Sequence, residues 1–464
     1  MVFRQKSESR WGGPRVALAA ILAGAAALRV PGLEYGLPFG TLLNPDEQNI
    51  VPRAWRMVHG GGLDPHWFDY PTLVLYLISP FQAWEDTPSF LSGRIVIVLL
   101  ALGAVAASWW LGRVAYGALA GAVAAAVVAV DSTHVLYSHM AVTDVALTLG
   151  VAAALALMVS GRLEWAGLAA GLAAGAKYPG IFLLAPLVVA GWKQWRRLVV
   201  AAAIGAAAFL ATSPYVLVHP GQAIDDARRV QRLAREGWLG FEHDHISVIA
   251  FPARLWSGMG PALLIAAAGL AIALWRRNRA DLILVAFAVI YFIDLLTLRA
   301  HFDRYVLPLV PVLGALAGRV RPLMPVTLLL LIVPLVWSIR HDVRLTRTDT
   351  RIVAHRWIQQ NVPEESLIAA DPSTVPPAGH PVLALALPGP GFRPDPNRDL
   401  AALRRKGVAY VLVTGAIADR VRAARDRYPR EIRFYNQLQV QAKRLYYVSS
   451  AHGLNGPWVA VYRL

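Results

Sequence analysis

The chain contains no cysteine. Disulfides, thiolate metal sites and a cysteine nucleophile are therefore excluded, and an oxidising compartment is compatible with the sequence. A Walker-type loop is also missing, so direct ATP use is not expected; Gly60-Gly61-Gly62 reads as a turn. Lysine is confined to Lys6, Lys177, Lys193, Lys406 and Lys443, and arginine supplies the remaining positive charge. Acids are scarce: 29 Asp and Glu stand against 45 Lys and Arg, a net charge of +16. No internal repeat of fixed period occurs.

What the chain has instead is apolar length. Hydrophobic residues make up 56% of it, above the roughly 45–50% of soluble domains. Val98–Ala107, Ala118–Val130 and Val199–Ala211 carry no charge. Extended by their flanks, such runs predict transmembrane helices. The net charge then reads as arginines flanking membrane spans, not as a nucleic-acid surface. Arg4, Lys6, Arg10 and Arg15 precede the apolar run Val16–Leu28, which resembles a signal peptide. Because further spans follow, it is read as a retained first helix.

Candidate spans lie near 15–31, 93–111, 115–131, 141–160, 163–177, 178–192, 198–214, 256–275, 281–298, 304–319 and 322–340. Arg113, Arg162, the Lys193–Arg197 cluster, the Arg276–Arg279 cluster, and Arg319 with Arg321 fall on alternate loops. All lie on the side of the basic N-terminus, as the positive-inside rule requires. This parity holds only if Pro71–Trp84, short and interrupted by Pro80, is a re-entrant or interfacial segment.

The expected fold is an all-α polytopic membrane domain of about 11 helices over 1–340, with a small α/β domain over 341–464. The parity places the N-terminus inside, and the loops 33–92 and 215–255 and the C-terminal domain outside. In that domain Thr346–Asn361 and Ala416–Tyr428 read as helices. Ser366–Ala370, Val408–Thr414, Leu445–Ser449 and Val459–Arg463 read as strands, and Pro376–Pro396 as loop.

The outer side collects the residues able to do chemistry. Asp46 and Glu47 follow Asn44-Pro45 in the first loop. A carboxylate there could take a proton from a hydroxyl. The competing reading is a helix start, with Asn44 as cap, Pro45 next, and acids at the positive helix end. Asp144 sits where a span re-enters the membrane, near Asp131, His134 and His139; these are read as polar lining or helix-end partners. Lys177, with Tyr178 and Pro179, lies on the side the positive-inside rule disfavours. It reads as a phosphate partner or as a snorkelling lysine. Arg304, followed by Tyr305, could hold a phosphate bidentately or form a structural pair with Asp303.

In the second outer loop, Ala223–Glu236 reads as a helix charged by Asp225, Asp226, Arg228, Arg229 and Arg235. Glu242-His243-Asp244-His245 follows. Imidazole and carboxylate are metal ligands, but this spacing matches no recognised zinc pattern. No cofactor is expected, with a divalent metal open.

Taken in order, several stretches resemble the C-type membrane glycosyltransferases of family 39. That group holds the dolichyl-phosphate-mannose protein mannosyltransferases and bacterial relatives such as the aminoarabinose transferases acting on lipid A. The stretches are Asn44-Pro45-Asp46-Glu47, Phe68-Asp69-Tyr70-Pro71-Thr72-Leu73 and Gly93-Arg94. Asp131–His134, Ser138–Asp144 and Gly171–Tyr178 follow, then Arg304-Tyr305-Val306-Leu307-Pro308 and Gly456–Leu464. Two departures stand against a protein acceptor. Tyr70-Pro71-Thr72-Leu73 replaces a His-Pro-Pro-Leu motif, and the chain has no room for an inserted sugar-binding-type domain.

The resemblance implies Asp46 as base with Glu47 beside it, and Asp144 as a second acid. Lys177, Tyr178 and Arg304 would face the donor phosphate, and Arg94, Tyr70 and His139 would support the site. The function it implies is inverting sugar transfer from a polyprenyl-phosphate carrier to a lipid, glycan or protein hydroxyl, at the outer face of a bacterial cytoplasmic membrane. A lipid-linked sugar flippase and a non-catalytic scaffold are the alternatives. The candidate charges cluster on one face, and no paired interrupted segments occur in matching halves, which argues against transport.

Overall fold

The computed structural model describes residues 14–451 and 453–464. Arg4, Lys6 and Arg10, which gave the first span its signal-like start, lie outside the described residues.

Each expected span coincides with helical structure. By length and composition alone, Phe90–Tyr116, Trp195–Thr212 and Arg321–Leu345 suffice to cross a membrane. Ala118–Val130 with Ser132–Ser138, bent by 59°, and Ser247–Met259 with Ala262–Arg276, bent by 120°, pass as pairs. The second bend moves an expected boundary. Gly260 takes φ +58 and Pro261 follows, so the expected span 256–275 begins only at Ala262. Two other expected spans open in 3-10 turns, Tyr178–Leu183 and Asp303–Leu309. Pro179 and Pro308 lie within them, and a proline withholds an amide donor from the ladder.

Leu73–Gln82 is a short apolar helix of ten residues. At about 1.5 Å per residue it reaches half of a bilayer core roughly 30 Å thick. This agrees with leaving Pro71–Trp84 out of the span count.

Small residues bring the helices together. A Cβ on Gly167 or Gly171 would run into the backbone of Ala201 or Gly205. Leu163–Ala176 and Trp195–Thr212 therefore pack backbone to backbone, as membrane helices do where only van der Waals contact holds them.

The helices have chemically distinct ends. Leu163–Ala176 starts after Arg162 and finishes at Lys177. Thr143–Val159 has Asp144 in its first turn and leads to Arg162. The Asp303–Leu309 turn and the helix Val310–Arg319 separate Arg304 from Arg319. At the basic end, Arg197 pairs with Glu164 at 2.7 Å and Arg319 with Asp281 at 2.8 Å. Helix continuity thus puts Asp144, Lys177 and Arg304 at the other end of the bundle.

The last membrane helix runs through the expected boundary at 340 to Leu345. Beyond it, five strands are described: β1 (Ile368–Ala370), β2 (Val382–Ala384), β3 (Tyr410–Thr414), β4 (Lys443–Val448) and β5 (Val459–Arg463). Their order is β2-β1-β3-β5-β4. β1 is parallel to β2 and β3, and β5 is antiparallel to β3 and β4. Central β3 is buried throughout, because helices cover both faces of the sheet. Three elements differ from expectation. β2 lies inside the expected loop 376–396, and Leu400–Arg405 and Pro429–Gln441 are helices beyond the expected two. β2 is a three-residue edge strand, mostly exposed, so it has no alternation of apolar residues to announce it.

The sheet region is tied to the long loops. The Tyr35 hydroxyl donates to Asp349 at 2.5 Å, His243 meets Asp426 at 2.9 Å, and Tyr428 donates to Glu242.

Candidate active site

Asp46 and Glu47 lie in the first turn of the helix Pro45–Val58. Asn44 caps it: its side chain accepts from the Asp46 amide at 2.9 Å, and Glu47 accepts from the Asn44 amide at 2.9 Å. This reciprocal box, with Pro45 at the first position, sets both acids at the helix start. The helix-start reading is therefore correct, and it aims the two carboxylates in different directions.

Glu47 points into the protein and is fully buried. Arg94 holds it with two parallel bonds, Nε to Oε2 at 3.0 Å and Nη2 to Oε1 at 2.9 Å. The Ala141 amide adds a bond at 3.1 Å. Arg94 spends Nη1 on the carbonyls of Leu33 and Tyr35. This fork geometry leaves neither partner free.

Asp46 points the other way, into a cluster of four charges. Its Oδ2 lies 2.7 Å from Arg304 Nη1. Arg304 Nε lies 3.9 Å from Asp144 Oδ2, and Lys177 Nζ donates to Asp144 Oδ1 at 2.5 Å. Asp46 Oδ2, Asp144 Oδ2 and Arg304 Nε are shut off from solvent without an aligned hydrogen bond. Charges so placed are balanced in sum but incompletely bonded. That leaves acceptors for a proton and donors for an anion.

Aromatic rings wall the cluster. Lys177 Nζ lies 5.4 Å from the Tyr70 ring and 5.2 Å from that of Tyr305. Arg304 lies over Phe302 and Tyr305. Lys177, Tyr70 and Tyr305 also line a pocket of about 370 Å³. Ile181, Phe182, Leu295 and Leu298 make much of the rest of it apolar, and the helix Pro220–Glu236 closes one side through Val230 and Ala234. The Tyr178 hydroxyl donates to the Phe68 carbonyl at 2.9 Å. It therefore borders the pocket while bonded to the first long loop. Nearby, Arg229 pairs with Asp69 at 2.5 Å. Burial still pushes the Asp69 carboxyl above its usual range, with Arg229 opposing.

His139 lies outside the four-charge cluster. Its ring bonds the carbonyls of Val135 and Pro31, each at 2.9 Å. Arg29, which the sequence does not single out, is fully buried. Its guanidinium binds Ser138, His134 Nδ1 and the carbonyls of Ala25, Val128 and Ala129. A lone arginine after an apolar run looks like a flanking charge, and nothing local distinguishes it. Asp131 caps Ser132–Ser138 through the His134 amide at 2.7 Å. Tyr137, which the sequence does not single out either, donates to Asp303 at 2.7 Å. That bond holds Asp303, and its neighbour Arg304 is free to turn toward Asp46.

The sequence-adjacent run Glu242–His245 does not converge. Glu242 goes to Tyr428, His243 to Asp426, and Asp244 to Arg254 and His301. Its residues hold the second long loop in place.

The model of glycosyltransferase family 87 matches residues 67–298, half of the chain. The family expected from the sequence, 39, is not the one whose model matches. No curated protein matches the sequence. Among solved structures, ArnT from Cupriavidus metallidurans bound to undecaprenyl phosphate is similar at a TM-score of 0.58 and 16% identity, over 96% of this chain and 97% of that one. The archaeal oligosaccharyltransferase AglB from Archaeoglobus fulgidus, in complex with an inhibitory peptide and a dolichol-phosphate, is similar at a TM-score of 0.54 and 13% identity. That likeness covers 96% of this chain and 74% of that one. The fold is thus that of a multi-pass C-type membrane glycosyltransferase.

Proposed function

The chain belongs to glycosyltransferase family 87, and from that premise we propose that it transfers a sugar from a polyprenyl-phosphate carrier to an acceptor hydroxyl at the outer face of a bacterial cytoplasmic membrane. The observation that carries the reading is the four-charge cluster at the end of an apolar pocket. A lipid-phosphate sugar has the matching form: a long apolar tail, one anionic phosphate and a reactive anomeric carbon beyond it. Structures of similar fold hold undecaprenyl phosphate and dolichol-phosphate.

In this reading the tail occupies the pocket beside Phe182 and Leu295, and the phosphate meets Lys177 and Arg304. Before the donor arrives, Asp144 and Asp46 neutralise those two cations. An incoming phosphate competes for them, and Asp46 is released from Arg304. Asp46 then accepts the acceptor's hydroxyl proton as the oxygen attacks the anomeric carbon. The bond from that carbon to the phosphate oxygen breaks, the phosphate leaves with the electron pair, and Lys177 and Arg304 stabilise its charge. One displacement inverts the anomeric centre. Glu47 and Arg94 act as positioning residues that fix the helix start carrying Asp46.

The test is sugar release from a panel of labelled polyprenyl-phosphate donors, mannose and an aminopentose included. Membranes would hold wild type or Asp46→Asn at equal abundance. We expect transfer by wild type and a loss of about 10³-fold in the variant, within the usual range for a general base. Equal transfer by both would remove Asp46 from the chemistry.

A further inference from the structure

We propose that Asp64, His66 and His219 form a divalent transition-metal site, suited to Zn²⁺, that fastens the first long loop to the helix Pro220–Glu236. The inference rests on this geometry and is independent of the transfer reaction.

Two imidazole nitrogens converge on one carboxylate oxygen. Asp64 Oδ2 lies 2.7 Å from His219 Nε2 and 3.5 Å from His66 Nδ1. One ligand atom from each of the three residues falls within 4.8 Å of the others. In a tetrahedral zinc site with bonds of about 2.0–2.2 Å, ligand atoms sit roughly 3.4 Å apart. The three donors are therefore close to coordinating distance of a single ion. The ligand set also selects the ion. Two nitrogens and one oxygen suit zinc and its neighbours, whereas magnesium and calcium take oxygen almost alone.

The surroundings orient the ligands. Asp64 Oδ1 accepts the His66 amide at 2.9 Å, which leaves Oδ2 for the ion. The Gln222 side chain donates to the His66 carbonyl at 3.0 Å, so the loop is gripped from the helix side as well. The His66 side chain is 70% exposed, which gives an ion and a completing water a route in. One effect opposes the ion: His219 caps the helix, whose positive end disfavours a cation. The Asp64 carboxylate, in direct contact with the His219 ring, supplies the nearer and opposite charge.

A consequence follows from helix spacing. His219, Gln222, Asp226 and Arg229 recur every three or four residues, one face of a helix. That face meets Asp64, His66, Phe68 and Asp69 in turn. A metal at its first position would anchor the whole seam, and the same helix closes one side of the pocket lined by Lys177.

The experiment uses the full chain in detergent, stripped with a chelator and titrated with Zn²⁺ by calorimetry, with thermal unfolding followed in parallel. Wild type should take up one equivalent and unfold at a higher temperature with the ion than without it. His219→Ala and His66→Ala should each weaken binding by at least about 100-fold, beyond the loss of an outer-shell partner, and abolish the thermal shift. His243→Ala, whose ring is paired with Asp426 elsewhere, should behave as wild type. Co²⁺ in place of Zn²⁺ should give a ligand-field spectrum in wild type and lose it in His66→Ala. His66 is exposed, so that variant tests the site even if His219→Ala fails to fold. Absence of saturable Zn²⁺ uptake by wild type, or unchanged uptake by His66→Ala, would overturn the proposal.

Discussion

Asp46 and Glu47 are neighbours in the chain, yet they belong to two opposite kinds of site. Around Glu47, every charged atom has an aligned partner: a bidentate arginine and two backbone amides. Around Asp46, the carboxylate faces Arg304, but three buried polar atoms of its cluster lack an aligned bond. A saturated buried pair can hold a fold together but has nothing left to offer a substrate. An unsaturated one costs stability and keeps donors and acceptors available. The C-terminal sheet repeats the saturated form. There Asp371 meets Arg398 at 2.9 Å and the Tyr435 hydroxyl at 3.0 Å, and Arg398 donates to that same hydroxyl.

Substitutions can break this contrast from either side. The largest effect on activity is expected from Asp46→Asn, a fall of about 10³-fold, with a smaller loss of stability than a change at Glu47, because Asp144 still faces Arg304. Glu47→Gln should act chiefly on stability, lowering transfer only through the helix start that carries Asp46. Removing one charge of a buried pair typically costs roughly 3–5 kcal/mol, so its unfolding midpoint should fall, read by differential scanning fluorimetry. Unchanged stability there would erase the distinction between the two acids. Lys177→Met should lower transfer by about 10²-fold, the scale of one electrostatic donor, measured as initial rate on the active donor. Tyr178→Phe should do least. It loses one hydrogen bond worth about 1 kcal/mol, and a rate loss much beyond about tenfold would give Tyr178 a larger part than bordering the pocket.

Most of the fold was legible because apolar length and arginine parity are local properties. The helix Phe90–Tyr116 declares itself by composition, and Arg162 and Lys177 mark opposite ends of Leu163–Ala176 by spacing alone. The bend at Gly260 and the edge strand Val382–Ala384 were not legible, since a turn angle and a partnered edge depend on distant neighbours. Site residues divided similarly. Asp46, Asp144, Lys177 and Arg304 stood out as charges at span ends, but their assembly into one cluster did not follow from spacing. Arg29 gave no signal, because burial and not residue type makes it unusual.

Metal-type residues make the same point. Glu242–His245 is contiguous and disperses to separate partners, whereas Asp64 and His66 are met by His219 from 155 residues along the chain. By itself the sequence determined that this is a polytopic membrane chain with its candidate site charges gathered at one end, because hydropathy and charge placement are read by the bilayer residue by residue. Only the tertiary structure decided which of two adjacent acids is saturated by Arg94 and which faces Arg304. The helix cap aims consecutive side chains about 100° apart, and the partners waiting in each direction come from elements far away in the chain.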